Sequence, residues 1–574
     1  MSKQINKLEL TWIGKYDEKK AIEPRILMEN PEYSFGEVET GELPNGKQWK
    51  GNMLIHGDNL LALKALEQDY AGQVKCIYID PPYNTGSAFE YYDDNLEHSI
   101  WLNLMKERLI CLKNLLAPNG FFCCHIDDSE GHYLKVLLDE IFERKNYLTT
   151  LYVRVRYPEK ALKQDMDFHK EIEYIHVYQK TNQASPNKEE VSDNYDKYMY
   201  YFKETQNFES VILGGKRVDI FRKGAWSVEK KEGSKEGRKE IWASGTILDG
   251  NSSGRFFRDY LNGRYNLDGL GVLYKVYGIG DDNFNYRYFT GPKKIGATKG
   301  KYFQGVPKDL LDKETITKLK PINNFYDFAA NFGNCRTEGN ADFRGGKKPE
   351  ILLKLILEHF TNEGDLVLDS FLGSGTTAAV AHKMNRKYIG IEIGNQAYSL
   401  CYPRLKAIVN HMDKSGISKD ENVEWKNKSG FKFYELAPSL LKEDKFGRLV
   451  INKEYNADML AAAMAKQEGF TYSPSVEQYW KQGYSSETDY IYTTTQFMTV
   501  QGLSEIHELM GEDETLLICC TAFQKECKNQ FSNMTIKKIP QILLGRCEFG
   551  KDDYSLNIIE VPEMDEEEEW EEDE

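Results

Sequence analysis

The 574-residue chain predicts an α/β fold with an open, mainly parallel sheet, and three passages carry that expectation. Val74-Lys75-Cys76-Ile77-Tyr78-Ile79 is a short apolar, β-branched run of the kind a strand buried on both faces requires. It stops on Asp80-Pro81-Pro82-Tyr83, where two successive prolines cannot continue a ladder. A second buried run, Leu366-Val367-Leu368-Asp369, enters the turn Ser370-Phe371-Leu372-Gly373-Ser374-Gly375-Thr376-Thr377, and an alanine-rich helix is expected over Ala378 to Met384. A third strand, Tyr388-Ile389-Gly390-Ile391-Glu392, ends in an acid. Strand, glycine turn, helix, strand is the local grammar of a parallel sheet.

The strand exits point to chemistry. Asp80-Pro81-Pro82-Tyr83 presents a carboxylate, a rigidly held proline carbonyl and an aromatic face, a set suited to a flat ring bearing an amino group. A nucleobase drawn out of its helix is such a ring. The plainer reading is a stiff turn with an exposed tyrosine. Gly373 and Gly375 allow close backbone approach to a ligand at the carboxyl end of a parallel strand, and Glu392 at the tip of the next strand suits ribose hydroxyls. Packing alone also explains many glycine turns. The turn lacks the lysine of a phosphate-cradling P-loop, which argues against an NTPase.

Together Asp80-Pro81-Pro82-Tyr83 and Phe371-Leu372-Gly373-Ser374-Gly375 resemble the catalytic and cofactor motifs of amino-group DNA methyltransferases. The order, catalytic motif first, resembles their permuted β class, and more closely the modification subunits of type III restriction systems. The likeness runs through Leu54-Ile55-His56-Gly57-Asp58-Asn59-Leu60, Ile77 to Gly86, Tyr91-Tyr92-Asp93-Asp94-Asn95, Trp101, His125-Ile126-Asp127-Asp128 and Phe168-His169-Lys170-Glu171-Ile172-Glu173-Tyr174. It resumes at Lys348-Pro349-Glu350 and continues to Glu392. The resemblance implies a Rossmann-like, circularly permuted methyltransferase core with an inserted target-recognition domain and a small C-terminal α/β domain. It implies S-adenosyl-L-methionine as cofactor, double-stranded DNA as substrate, a homodimer, and a separate helicase–nuclease restriction subunit.

It also implies roles. Asp80 and the Pro81 carbonyl accept from an adenine amino group, Pro82 stiffens the platform, and Tyr83 stacks on the base. Phe371, Gly373, Ser374, Gly375 and Thr376, with Asp369 before them, form the cofactor loop. Glu392 takes the ribose, Asp58 contacts the cofactor's adenine, and Lys348 lines its methionine end. If so, Asp58, Asp80, Phe371 and Glu392 must converge on one cleft, because chain ends that lie close together allow a fold to be cut and rejoined elsewhere. Two other functions stay open: an N4-cytosine methyltransferase on the same scaffold, and a non-enzymatic reader of DNA sequence.

Other polar residues have plainer expectations. Asp127 and Asp128 orient a loop or cap a helix starting near Ser129. Glu171 and Glu173 alternate with Ile172 and Tyr174, and belong on a solvated strand face. Asp420 with Glu424-Trp425-Lys426 faintly resembles a nuclease signature, and such triplets are common by chance. The ten histidines show no metal-binding spacing. The ten cysteines are scattered, with Cys123-Cys124 and Cys519-Cys520 inside apolar runs, as reduced core residues of a cytoplasmic protein would be. No membrane-length apolar stretch and no apolar leader are evident.

The net charge of −16 at first argues against a DNA partner, but Glu563–Glu574 holds ten acidic residues in twelve, leaving −6 for the rest. Between Val211 and Leu310 there are 19 Lys plus Arg against 11 Asp plus Glu, and 17 of the 45 glycines. There Arg255-Phe256-Phe257-Arg258 and Tyr286-Arg287-Tyr288-Phe289 interleave bases with aromatics, as phosphate contact and base readout would use. An ordinary glycine-rich β-domain is the plainer reading. The expected organisation is an arm over 1–50, catalytic half-core 51–182, target recognition 183–342, cofactor half-core 343–413, a C-terminal domain for dimer or partner contact over 414–562, and a disordered acidic tail over 563–574. In the C-terminal part Leu516–Cys520 and Gln541–Leu544 read as strands and Met459–Gln467 as a helix.

Overall fold

The computed structural model describes residues 9–17, 21–83, 94–157, 169–192, 195–243, 252–297, 300–311, 313, 317–343, 346–426, 428–544 and 546–554. Asn84-Thr85-Gly86, Tyr91-Tyr92-Asp93, Phe168 and the acidic tail lie outside them. The chain divides into two compact units, 1–187 with 323–574, and 188–322.

The first unit is organised by a ten-stranded sheet. Its central strands are β1 (Asn52–His56), β2 (Val74–Ile79), β3 (Leu116–Ile126), β4 (Tyr147–Arg154), β5 (Ile172–Gln179), β6 (Leu366–Asp369), β7 (Lys387–Glu392) and β8 (Phe431–Leu436). Between edge strands Leu27–Glu29 and Phe325–Asp327 the order is β8, β1, β7, β6, β2, β3, β5, β4. The run from β8 to β3 is parallel throughout, and β5 pairs antiparallel with both neighbours. Strands β6 and β7, which begin 292 and 313 residues after the start of β2, insert between β1 and β2. The permuted order expected from the motifs is therefore met, and the carboxyl ends of β1, β7, β6 and β2 stand side by side.

Alternation along each strand builds two apolar layers. Met53, Ile55, Ile77, Ile79, Phe122, Cys124, Leu368, Ile389 and Ile391 face helices α1 (Asn59–Tyr70), α2 (Asp94–Leu115) and α3 (Gly131–Phe142). Leu54, Cys76, Tyr78, Phe121, Cys123, Val367 and Tyr388 face α4 (Glu350–Phe360) and α5 (Thr376–Lys383). Adjacent Cys123 and Cys124 thus enter opposite layers, and all ten cysteines are buried and free.

The C-terminal part of this unit carries a five-stranded sheet (Thr471–Tyr472, Gly483–Tyr484, Asp489–Met498, Thr515–Phe523, Met534–Lys538) with helices Ala457–Glu468 and Val500–Leu509. Gln541–Leu544 is a turn and not the expected strand. Pro540 removes a ladder donor just before it, and Ile539 and Leu543 bury their side chains in the core from irregular backbone.

The second unit holds a six-stranded antiparallel sheet: Glu209–Leu213, Lys216–Phe221, Leu273–Tyr277, Tyr286–Thr290, Gly300–Gln304 and Lys239–Ala243, in that order. Gly214 and Gly215, at φ +54° and +73°, make its first hairpin. A two-residue turn there needs left-handed backbone at both positions, which only glycine adopts without strain.

Candidate active site

A cavity of about 1080 Å³ opens at the carboxyl ends of these strands. Asp80, Pro81, Pro82, Tyr83 and Lys348 line it, and so do Asp369, Phe371, Gly373, Ser374, Thr376 and Glu392. The two motifs therefore share one space.

On the glycine-loop side, Gly375 sits at φ +81° as the residue before α5. A Cβ there would lie 3.3 Å from Cys401 Sγ, so backbone conformation and space both favour glycine. Glu392 braces the loop: Oε2 accepts from Gly373 N at 2.7 Å and Oε1 from Gly394 N at 2.9 Å. Burial pushes its carboxyl above the usual range. Asp369 Oδ1 accepts from Phe371 N at 2.9 Å and Oδ2 from the Thr377 hydroxyl at 2.6 Å. Burial carries this carboxyl up to about 7, against the lowering effect of those two bonds.

Beneath the loop lies an ionic cluster that sequence reading missed. Arg404 donates to Ser374 O and the Thr376 hydroxyl, both at 3.0 Å. It also pairs with Glu350 at 2.7 Å, and Lys383 joins Glu350 at 2.7 Å and Asp413 at 2.6 Å. Glu350, Lys383 and Arg404 have no exposed side-chain surface. Glu350 follows Lys348-Pro349, so a charged residue at the first position of an apolar helix was the available signal.

Asp58 lies beside the cavity and is not among its lining. Its Oδ1 caps α1 by accepting from Leu60 N at 2.8 Å and Leu61 N at 3.1 Å. Its Oδ2 accepts from Arg108 at 3.2 Å and Tyr554 N at 3.0 Å. The neighbouring Asn59 and Arg108 do line the cavity. Gly375 also stands outside the lining and acts on it through the backbone.

On the Asp80 side, Trp101 Nε1 donates to Pro82 O at 2.8 Å and holds the platform. The Tyr83 hydroxyl donates toward Asp80 Oδ1 at 2.8 Å and Glu173 Oε2 at 3.1 Å. Lys348 Nζ stands 3.0 Å from Asp80 Oδ2, 3.5 Å from Glu173 Oε2 and 4.9 Å from the Tyr83 ring centre. The structure thus pairs Lys348 with the Asp80 carboxylate. Glu173 also meets His125 Nε2 at 2.8 Å, and His125 Nδ1 lies 2.7 Å from the Tyr78 hydroxyl.

The solvated face expected for Glu173 is therefore corrected: its side chain is 16% exposed. Burial raises the carboxyl, but the Lys348 ammonium and His125 outweigh it and hold Glu173 well below the usual range. Period-two alternation says which face a residue takes, and at the start of β5 that face meets Tyr83 and Lys348 of the cavity wall. Asp127 follows expectation, accepting from Ser129 N at 2.9 Å, while α3 begins at Gly131. Asp420 pairs with Lys354 at 3.2 Å and Lys426 pairs with Glu424, so each has a structural partner. No cluster of His, Cys, Asp and Glu suited to a metal ion occurs among the described residues.

In the second unit, the aromatics of the two basic passages are core. Phe256, Phe257 and Phe289 pack together in one cluster and Tyr288 in another. Arg287 is buried against Asp282 at 2.8 Å, and Arg258 pairs with Asp259 at 2.7 Å. Lys223, Lys293 and Lys294 are exposed.

Chemically, the cavity offers an acceptor carboxylate beside a buried ammonium, and a braced glycine loop beside a second carboxylate. Comparison with known proteins accords with this. Residues 74–402 match the model of the N6_N4_Mtase family, described as DNA methylase. The chain is similar to the "Probable type III restriction-modification enzyme HindVI Mod subunit" of Haemophilus influenzae, at 34% identity over 67% of this chain and 54% of that one. It is 28% identical to the type III restriction-modification enzyme StyLTI Mod subunit of Salmonella typhimurium, over 68% of this chain and 58% of the relative. The EcoPI Mod subunit of Escherichia phage P1 is 27% identical over 74% and 70%. The chain spans little more than half the length of the first two. With the family model spanning both motifs and more than half of the sequence, the chain belongs to the DNA methylase family.

Proposed function

We propose that this chain is an S-adenosyl-L-methionine-dependent DNA methyltransferase that modifies N6 of adenine at a specific duplex sequence. The observation that carries the reading is the convergence of Asp80 and Tyr83 with Phe371, Gly373 and Glu392 on one cavity from strands far apart in sequence. The residues fit the cofactor. Glu392 uses one lone pair per oxygen on the loop and keeps others for ribose hydroxyls, Phe371 supplies an apolar surface, and Asn59 and Arg108 supply polar edges. When bound, S-adenosyl-L-methionine supplies an electrophilic methyl group.

The chain's own residues do the rest. An adenine amino lone pair is delocalised into the ring and is a poor nucleophile. Acceptors at Asp80 and the Pro81 carbonyl favour a more tetrahedral nitrogen and stabilise the positive charge developing on it. A fixed platform converts encounter into orientation. Tyr83 supplies a face for the extruded base, a contact worth about 1–3 kcal/mol. Lys348, 3.0 Å from Asp80 Oδ2, holds that carboxylate in place as an acceptor.

The names of the relatives support a role as the modification subunit of a restriction–modification system; that it works in the cytoplasm as a homodimer with a separate restriction subunit is part of the same proposal and follows from the family resemblance alone. The second unit is assigned target recognition. The test is methyl transfer from labelled cofactor to unmethylated DNA, followed by identification of the modified base. N6-methyladenine at one recurrent sequence, lost in Asp80→Ala, is the expected result. Label in N4-methylcytosine overturns the adenine assignment, and cofactor binding with no transfer to DNA overturns the enzymatic one.

A further inference from the structure

The Tyr83 hydroxyl has one proton and two acceptors, Asp80 Oδ1 at 2.8 Å and Glu173 Oε2 at 3.1 Å. That same Glu173 oxygen lies 3.5 Å from Lys348 Nζ and 2.8 Å from His125 Nε2. His125 is itself fixed by Tyr78 from β2. So a single carboxylate oxygen, placed from β5, gathers the two groups that touch Asp80 and is anchored from behind by a third.

Oδ1 and Oδ2 of Asp80 already face the Tyr83 hydroxyl and the Lys348 ammonium, so an amino group arriving at Oδ1 brings a second donor to that oxygen and weakens its bond to Tyr83. Were Asp80 the hydroxyl's sole acceptor, displacing that hydroxyl would strand a donor in a largely buried site, at substantial cost. Glu173 removes that cost, because the hydroxyl re-aims to an acceptor already within reach. Glu173 also shares the Lys348 ammonium, which leaves Asp80 incompletely neutralised and a stronger acceptor for an N–H donor.

We propose that Glu173 is a positioning residue for methyl transfer: it receives the Tyr83 hydroxyl when the target amino group takes its place on Asp80, and it divides Lys348 between the two carboxylates. This rests on the methyltransferase reading above. No bond is made or broken by Glu173; one hydrogen bond is exchanged for another.

The test uses the full chain, with Glu173→Gln, Tyr83→Phe and the double variant. Glu173→Gln keeps an acceptor but loses the charge, and is expected to lower kcat by about 10-fold, the difference between a charged and a neutral hydrogen bond, with the cofactor Kd and cofactor KM unchanged. In the Tyr83→Phe background the same substitution should cost distinctly less, because there is no hydroxyl to receive. An equal loss in both backgrounds, or wild-type kcat in Glu173→Gln, overturns the proposal. If Glu173→Gln fails to bind cofactor, Glu173→Asp is read instead. It keeps the charge but withdraws it by one methylene, and reduced kcat with unchanged cofactor Kd is expected, wild-type kcat being the overturning result. A cycle of Tm values without DNA decides the shared contact apart from activity. Non-additive losses support it, and additive losses overturn it while leaving the proposed function untouched. Absence of methylation by the native chain overturns the proposed function instead.

Discussion

Glu350→Gln perturbs the support of the glycine loop at 373–375 and leaves the cavity lining intact. Glu350 has no exposed side-chain surface, pairs with Lys383 and Arg404 at 2.7 Å each, and accepts from Ile417 N at 3.0 Å. At an effective dielectric near 20, each of those charge pairs carries about 6 kcal/mol of gross attraction. Most of it is offset by the desolvation of the three groups, and removing one partner of such a buried set typically costs about 3–5 kcal/mol. The neutral amide leaves Lys383 with Asp413 and takes from Arg404 the carboxylate it pairs with at 2.7 Å. Arg404, which holds Ser374 O and the Thr376 hydroxyl, then loses its anchor, so cofactor affinity should fall along with stability. Urea unfolding reads the first effect and calorimetric titration with S-adenosyl-L-methionine the second. Lys426→Met, at an exposed pair with Glu424, serves as the control and should leave the unfolding midpoint unchanged. A Glu350→Gln midpoint equal to that of the control, or destabilisation with unaltered cofactor affinity, would refute the claim that the ionic cluster supports the loop.

Further expectations follow from the same geometry. Gly375→Ala puts a Cβ into left-handed backbone at φ +81° and 3.3 Å from Cys401 Sγ, a strain of about 1 kcal/mol or more. Cofactor titration should show weakened binding, and an unchanged Kd would mean that the loop relaxes freely. Asp369 has its folded pKa raised from 3.8 to about 7, so the folded state holds its proton where the unfolded chain has lost it. The Asp369 contribution to stability therefore declines as pH rises from about 4 to about 7. The stability difference between native chain and Asp369→Asn, followed across that window, should change in this direction; a pH-independent difference would reject it.

Much of the cavity was legible in local pattern. The apolar run into Asp80-Pro81-Pro82-Tyr83, the turn at Gly373 to Gly375 and the acid at Glu392 each announce themselves within a few residues. Backbone constraints on proline, glycine and strand exits act over that range. Even the sheet order was recoverable, because parallel strands with ligand-bearing carboxyl ends must be neighbours whatever their order along the chain. The strand expected at Gln541–Leu544 failed because apolar composition does not tell a strand from a turn that buries its side chains.

The groups around the motifs were not legible, for a physical reason. Glu173 looked like half of a solvated alternation, and its burial depends on Lys348, Tyr83 and His125, contributed by segments up to 175 residues away along the chain. Glu350, Lys383, Arg404 and Asp413 likewise look like ordinary charges one at a time. The basic–aromatic passages around Phe256 and Tyr288 suggested a DNA-facing surface, yet their rings form cores, since composition does not say which side of a sheet a ring takes. By itself the sequence determined the family's motifs and the strands that present them. Only the tertiary structure decided which charges are buried together, because electrostatic pairing in a low-dielectric interior depends on distances of a few ångströms between residues that the chain alone leaves far apart.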